Sequence, residues 1–144
     1  MHERLAAVAA AEGLPLDFSA VRVRPSTRAA HRLLTAAVDV GREAQQALAD
    51  GLFGAYWASG KDIGDPAVLK EVAVSAGLTP GVVAAVLGGG AYAERVREEE
   101  RQAQAAGIHA VPTFIVDGRF ALSGAQPSAV LARAVRQALE TRGA

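Results

Sequence analysis

The sequence predicts a mainly helical α/β domain in which a run of about six helices is followed by one β-hairpin and a final helix. Alanine supplies 33 of the 144 residues, and alanine loses no side-chain entropy in a helix. Residues that start and stop helices recur along most of the chain. One β-rich segment surrounds Asp117-Gly118. Val, Leu, Ile and Phe add 36 residues, enough to predict one folded core rather than disorder.

Charge and composition exclude several classes of function. The chain has 15 acidic and 15 basic residues, which argues against nucleic acid or a membrane surface as a partner, because both bind basic faces. It has no cysteine, so it offers no disulfide, thiolate or cysteine metal site. No apolar run approaches the roughly 18 residues that span a bilayer. The N-terminus is a poor signal peptide, so we expect a cytoplasmic location.

The first half of the chain predicts three helices and one extended stretch. His2–Glu12 predicts a short helix closed by Gly13, and Leu14–Val23 breaks the helical period and predicts extended chain. Ser26 or Thr27 is the expected N-cap of the second helix. The expected buried face of that helix is Ala30, Leu33, Leu34, Ala37, Val38 and Gly41. The third helix is predicted by Ala44, Leu48, Leu52, Phe53, Tyr56 and Trp57 and ends at Ser59-Gly60.

Proline marks the start of three further helices, because its missing N–H costs nothing in the first helical turn. The starts are Asp65-Pro66, Thr79-Pro80 and Gln126-Pro127. We expect the first two of these helices to stop at Gly77 and at Gly88–Gly90. Between them and the hairpin, Tyr92–Ala106 predicts a long charged helix that ends at Gly107.

The segment before the last helix predicts the hairpin. Two short β-rich runs, Phe114–Val116 and Phe120–Leu122, flank Asp117-Gly118, which is a frequent hairpin turn. Their apolar residues alternate, which pins one face inward. We expect the last helix to pack on the outer strand through Val130, Leu131, Ala134 and Val135.

The expected binding site lies at the start of this hairpin. Pro112 cannot donate to a strand ladder, so its place before a strand suggests a tight turn that presents backbone groups to a ligand. An ordinary trans proline at an edge strand is the alternative. His109 precedes it in a loop, where it either faces the site or is an exposed loop residue. His31 lies on a helix and is expected to be solvated rather than catalytic. No histidine has a partner at metal-ligand spacing, so we expect no metal and no cofactor.

Residues Gly107–Gln126 resemble the C-terminal signature of the DsbA-like thioredoxin-fold family. They are most similar to its cytoplasmic branch, which includes the FrnE-type dithiol-disulfide isomerases linked to polyketide biosynthesis. In that branch a Gly-Val-Pro-x-Phe element carries a cis-proline and leads into a Ser-Gly-Ala-Gln corner. Upstream, Ala30–Leu33 resembles the branch's Ala-His-Arg-Leu element, and Leu52–Trp57 with Gly60–Ile63 resembles a second one. The likeness runs over about 13–139, with Ser26 in place of asparagine and Ala110 in place of glycine.

The resemblance implies a thioredoxin-like, DsbA-type fold with a large helical insertion. On this expectation, 1–144 is a single domain, with the helical insertion in about 1–107 and the C-terminal thioredoxin half in 108–144. The family's N-terminal strand, Cys-Pro-x-Cys helix start and next strand have no counterpart here. Two readings stay open: Met1 is the true start of a short protein, or the chain is a fragment.

The resemblance also implies a function. The implied function is that of a thiol-disulfide oxidoreductase or isomerase. Because this chain lacks the catalytic cysteines, we expect it to be inactive alone. The resemblance implies no catalytic residue, a substrate-binding set of His109, Val111, Pro112 and Thr113, and a protein or peptide thiol as partner. The alternatives are a non-catalytic peptide- or partner-binding module, or a fragment of an enzyme similar to chromene-carboxylate isomerases or kappa-class glutathione transferases. Since a lone hairpin leaves unpaired edge groups, we also expect a homo-oligomer.

Overall fold

The computed structural model describes residues 2–14 and 16–142, and these form seven α-helices, one π-helical turn and a two-stranded sheet. The helices are α1 (His2–Ala11), α2 (Arg28–Val40), α3 (Arg42–Phe53), α4 (Pro66–Ser75), α5 (Pro80–Gly88), α6 (Ala93–Ala105) and α7 (Ser128–Arg142). The strands are β1 (Thr113–Val116) and β2 (Phe120–Ser123), and the π-helical turn is Gly54–Ala58. None of the described helices is both long and apolar enough to cross a bilayer.

The chain divides into two compact units, residues 1–98 and residues 99–144. The sequence placed an internal boundary after residue 107 within one domain, and that organisation stays a prediction. α6 crosses the division, because its residues 99–105 belong to the second unit.

The core of the first unit lies between helices α2 to α5. Its largest fully buried side chains are Leu33, Leu48, Leu69, Leu78, Val83 and Val86. Alanines at Ala36, Ala37 and Ala73 are also buried, and their small side chains let the helices approach closely. Burying an aliphatic side chain of this size stabilises the fold by about 1.5–3 kcal/mol, so these residues hold the unit together.

Two predicted helix starts are confirmed in detail. The Asp65 carboxylate accepts a hydrogen bond from the Ala67 N–H at 2.8 Å, and the Thr79 hydroxyl accepts one from Val82 at 3.4 Å. The start of α2 differs from expectation. Thr27 occupies the N-cap position, but no side-chain hydrogen bond caps this helix.

The buried face of α2 is rotated from the predicted one. Ala30, Leu33, Ala36 and Ala37 are buried, whereas Val38 is exposed. Val38 lies about 100° further round the helix than Ala37, which turns it away from the core. The sequence pattern could not distinguish Val38 from Ala37, because both residues are apolar.

The segment between α1 and α2 is not the extended stretch that the sequence predicted. Its chain turns over Asp17–Ala20, where the Ala20 N–H donates to the Asp17 carbonyl at 3.2 Å. The Asp17 N–H donates to the Trp57 carbonyl at 2.8 Å, and the rings of Phe18 and Trp57 lie 5.3 Å apart. Phe18 of this segment therefore packs on the π-helical turn instead of belonging to a strand.

The second unit contains the predicted hairpin. The register pairs Phe114 with Leu122 and Val116 with Phe120, so these four side chains share one face. Three of them are half-buried, and Phe114 is the most exposed of the four. Ile115 points to the other face and is 56% exposed.

The turn of the hairpin explains its position. Asp117 and Gly118 both have positive φ, +57° and +65°, as a type I′ turn requires. The Arg119 N–H closes the turn on the Val116 carbonyl at 3.2 Å.

Helix α7 turns a narrower apolar stripe inward than predicted. Ala138 is buried, and Val130, Leu131 and Ala134 are half-buried. Val135, which was expected among the packed residues, is 47% exposed. The inward positions are 130, 131, 134 and 138. These positions lie on a narrower arc of the helix than a set that includes 135.

Candidate functional site

The candidate site is the loop between α6 and β1. Gly107 ends α6 with a positive φ of +74°. Its N–H donates to the Gln104 carbonyl at 2.9 Å, and the Ile108 N–H donates to the Ala103 carbonyl at 3.0 Å. These two bonds form a C-terminal cap of the Schellman type, which fixes where the loop leaves the helix.

The other end of the loop is fixed by β1 and β2. The Val111–Pro112 peptide bond is cis. The Pro112 carbonyl accepts a hydrogen bond from the Gly124 N–H at 2.8 Å, which extends the pairing of the two strands by one residue. The Thr113 hydroxyl donates to the Ala110 carbonyl at 2.6 Å and ties the loop back on itself. The backbone around Pro112 is therefore held at both ends.

The four predicted substrate-binding residues differ in exposure. Val111 is 90% exposed, which is high for an aliphatic side chain beside a strand. His109 and Pro112 are also exposed, and Thr113 is half-buried. Thr113 contributes to loop geometry through its hydroxyl, and Val111 presents its side chain to solvent.

An open groove of about 840 Å³ runs beside the loop. It is lined by Glu100, Ala103, Gln104, Ile108, His109, Ala110 and Val111. The structure thus brings two predicted residues, His109 and Val111, to one groove. Pro112 and Thr113 are not among its lining residues.

Sequence reasoning missed the contribution of α6 to this groove. Glu100, Ala103 and Gln104 follow the i, i+3, i+4 spacing that places residues on one helix face. The sequence predicts this segment only as a long charged helix, without a part in a binding site. The spacing of these three residues directly before the loop is the signal that could have identified them.

The groove offers binding groups but no nucleophilic sulfur. It presents the Glu100 carboxylate, the Gln104 amide and the His109 imidazole beside the apolar side chains of Ile108 and Val111. The 144 residues contain no cysteine. Within the described ranges, no three His, Asp or Glu residues come together as a metal site would require. These groups can bind a polypeptide or a small polar molecule.

The backbone of β1 adds an open edge to the site. Along an antiparallel strand, the backbone N–H and C=O groups of successive residues alternate between pointing at the partner strand and pointing away from it. Since the Pro112 carbonyl points at β2, the backbone groups of Val111, Thr113 and Ile115 point to the opposite edge. Among the described residues β1 pairs only with β2.

Comparison with known proteins identifies the family. The profile of the DSBA-like thioredoxin domain matches residues 1–136. The crystal structure of a protein described as a probable DsbA oxidoreductase from Streptomyces coelicolor matches with a TM-score of 0.85 and 39% sequence identity. The match covers 96% of this chain and 58% of that one, so the chain spans less than two thirds of that protein's length. No curated protein is similar enough to count as a relative.

The family profile confirms the resemblance to the DsbA-like family, which the sequence motifs carried over about 13–139. The fold is the DsbA-like thioredoxin fold, here mostly helical with a C-terminal two-stranded sheet and a final helix. The chain belongs to the DSBA-like thioredoxin domain family.

Proposed function

We propose that this chain supplies the substrate-holding part of a DsbA-family thiol-disulfide oxidoreductase and does not exchange disulfides by itself. One observation carries the proposal: a braced, exposed loop at Val111-Pro112 stands beside an open groove in a chain with no cysteine. The partner in this proposal is a protein or peptide thiol.

The chain lacks the reactive sulfur that thiol-disulfide exchange requires. In each step a thiolate attacks one sulfur of a disulfide, a mixed disulfide forms, and the other sulfur leaves as a thiolate. Both steps need an enzyme sulfur that can carry the negative charge. The only sulfur in these 144 residues is the thioether of the single methionine, which cannot form a disulfide. The reacting sulfur must therefore come from outside this sequence.

The loop is suited to holding an extended polypeptide. Its conformation is fixed by the Pro112–Gly124 and Thr113–Ala110 hydrogen bonds. The Val111 N–H and C=O have no partner among the hydrogen bonds of the described residues, so both can pair with a peptide backbone. The exposed Val111 side chain and Ile108 offer apolar contact next to those backbone groups.

The finer assignment is the FrnE-type branch of dithiol-disulfide isomerases, acting in the cytoplasm. It rests on the sequence resemblance, and the corner after β2 supports it. Gly124 has a positive φ of +82°, and the Gln126 side-chain amide donates to the Ser123 carbonyl at 2.8 Å. The Ser-Gly-Ala-Gln residues therefore form a corner with a defined geometry. This agrees with the corner that the resemblance to the branch implies.

A second candidate function is a non-catalytic partner-binding module. The observation that favours it is the outward edge of β1, where Thr113 and Ile115 direct backbone groups away from β2. Such an edge can take up a strand from another chain, including a second copy of this one.

Two measurements on the pure chain test the main proposal. In an insulin-reduction assay with dithiothreitol, we expect the same rate as dithiothreitol alone. In an NMR titration with an extended peptide that contains S-methylcysteine, we expect shifts at Ile108 and Val111. Val111→Asp should weaken that binding about tenfold or more, since it removes apolar contact and places a charge there. Val74→Asp, at an exposed valine of α4, is the matched control and should bind as the parent does.

Either of two results would overturn the proposal. A rate of insulin reduction above the dithiothreitol control would show that the chain has a catalytic route without cysteine. Equal weakening by the Val111 and Val74 substitutions would show that the loop does not hold the peptide.

A further inference from the structure

The helical unit contains a second concave site, a pocket of about 310 Å³. Its main walls are Leu34 of α2, Phe53 at the end of α3, Trp57 in the π-helical turn and Ile63 in the next loop. Arg24 lines it from the segment before α2. Its volume lies at the low end of the range for small-molecule sites, which favours a small ligand.

Ring contacts hold the aromatic wall of this pocket in place. The rings of Tyr56 and Trp57 meet edge to face at 4.6 Å, and Phe18 contacts Trp57 at 5.3 Å. The Tyr56 hydroxyl donates to the Val23 carbonyl at 3.1 Å and so holds the segment that carries Arg24. Because these contacts lie within one unit, the pocket is preformed.

The π-helical turn is an independent sign of function. A π-helical turn is energetically poorer than an α-helical one and occurs frequently at functional sites. Here it spans Gly54–Ala58 and supplies Tyr56 and Trp57 to the pocket. The preceding residue, Phe53, is 63% exposed although it is aromatic, so it offers uncovered apolar surface beside the cavity.

The guanidinium of the pocket favours an anion. Arg24 and His31 are among its lining residues, and none of those residues is an aspartate or glutamate. Arg24 takes part in no ion pair among the described residues. A guanidinium matches the two oxygens of a carboxylate in a bidentate arrangement.

We propose that this pocket binds a small apolar carboxylate. The apolar body of the ligand contacts Leu34, Phe53 and Trp57, and its carboxylate pairs with Arg24. The proposal rests on residues of the first unit alone and does not depend on the function proposed for the Val111 loop.

Calorimetric titration with 2-naphthoate tests the proposal, and 2-naphthamide serves as the neutral ligand of the same shape. We expect the naphthoate to bind and the amide to bind about tenfold more weakly, as expected for one charge-assisted hydrogen-bonded pair. Arg24→Gln should weaken naphthoate binding about tenfold, whereas the matched control Arg22→Gln should not.

A second pair of variants tests the position of the ligand. Ala49 lines the pocket from α3, and Ala47 on the same helix is exposed and does not line it. Ala49→Phe should fill the cavity and abolish binding, whereas Ala47→Phe should leave it unchanged. Thermal unfolding of each variant shows whether it is folded.

Three results would overturn the proposal. They are no naphthoate binding at millimolar concentration, equal affinity for naphthoate and naphthamide, or equal effects of the Ala49 and Ala47 substitutions in folded variants. Each is independent of the peptide titration at Val111, so either proposal can fail without the other.

Discussion

Arg32 donates a hydrogen bond through Nε to the backbone carbonyl of Ala91 at 2.8 Å, although the two residues are 59 positions apart. Its Nη2 donates to the carbonyls of Val86 and Gly89 as well. The last carbonyls of a helix lack partners within that helix. A single guanidinium therefore caps the C-terminal end of α5 and fixes the chain that leads into α6.

Replacing Arg32 should destabilise the helical unit. Arg32→Ala removes three charge-assisted hydrogen bonds, and we expect the free energy of unfolding to fall by about 2 kcal/mol. Arg32→Lys should recover less than half of this, because an ammonium group cannot reach three carbonyls in one plane. Urea denaturation measures the effect. Arg28→Ala, at the exposed start of α2, is the control and should change stability by less than about 0.5 kcal/mol. Equal losses for the two variants would contradict the capping role.

A side chain at Gly60 should lower the free energy of unfolding. The φ of Gly60 is +62°, and a Cβ added there would overlap the carbonyl of Ala20. Gly77 also has a positive φ, +97°, but a Cβ there would meet nothing within 4 Å. We expect Gly60→Ala to cost about 2–4 kcal/mol of unfolding free energy, from backbone strain and overlap together. Gly77→Ala should cost about 1–2 kcal/mol, from strain alone. Similar losses measured by denaturation would show that the contact with Ala20 is unimportant.

The Asp17 carboxyl should titrate below its ordinary value. The Ser19 hydroxyl and then the Ser19 N–H donate to its Oδ1, at 2.6 and 2.9 Å, and these bonds lower the pKa of Asp17 from 3.8. A lowered pKa in the folded state favours folding above the unfolded value and loses that contribution as the pH falls through the folded value. Ser19→Ala should move the pKa back toward 3.8, as followed by NMR of the carboxyl carbon. Ser75→Ala is the control, and an unchanged Asp17 pKa in Ser19→Ala would refute the assignment.

Local signals explain which elements the sequence could predict. Asp65 and Thr79 act on backbone N–H groups two and three residues away, so their patterns are complete within a few positions. The same holds for Asp117-Gly118, whose positive φ values are properties of the turn itself. The loop residues His109 and Val111 were found because they flank a proline at a strand start.

Contacts between distant segments explain what the sequence could not predict. The spacing of Leu16 and Phe18 is compatible with a strand, and only the position of Trp57 shows that this segment packs on an aromatic ring. Glu100 and Gln104 join the groove because α6 stops at Gly107 and the loop turns back beside them. The bond from Arg32 to Ala91 depends on how α2 and α5 pack.

The final prediction concerns association through β1. The backbone groups of Thr113 and Ile115 point away from β2, and unpaired edge groups of this kind favour pairing with another strand. The Ile115 side chain is 56% exposed on a face of the hairpin, so the strand also presents apolar surface beside this edge. We expect the chain to form a dimer or larger assembly whose apparent mass in light scattering rises with concentration. Ile115→Lys should shift the assembly toward monomer, because a charge on an edge strand opposes pairing. Val74→Lys, at an exposed position of α4, should not. A monomer at all concentrations with a cooperative thermal transition would show that the open edge of β1 is stable without a partner strand.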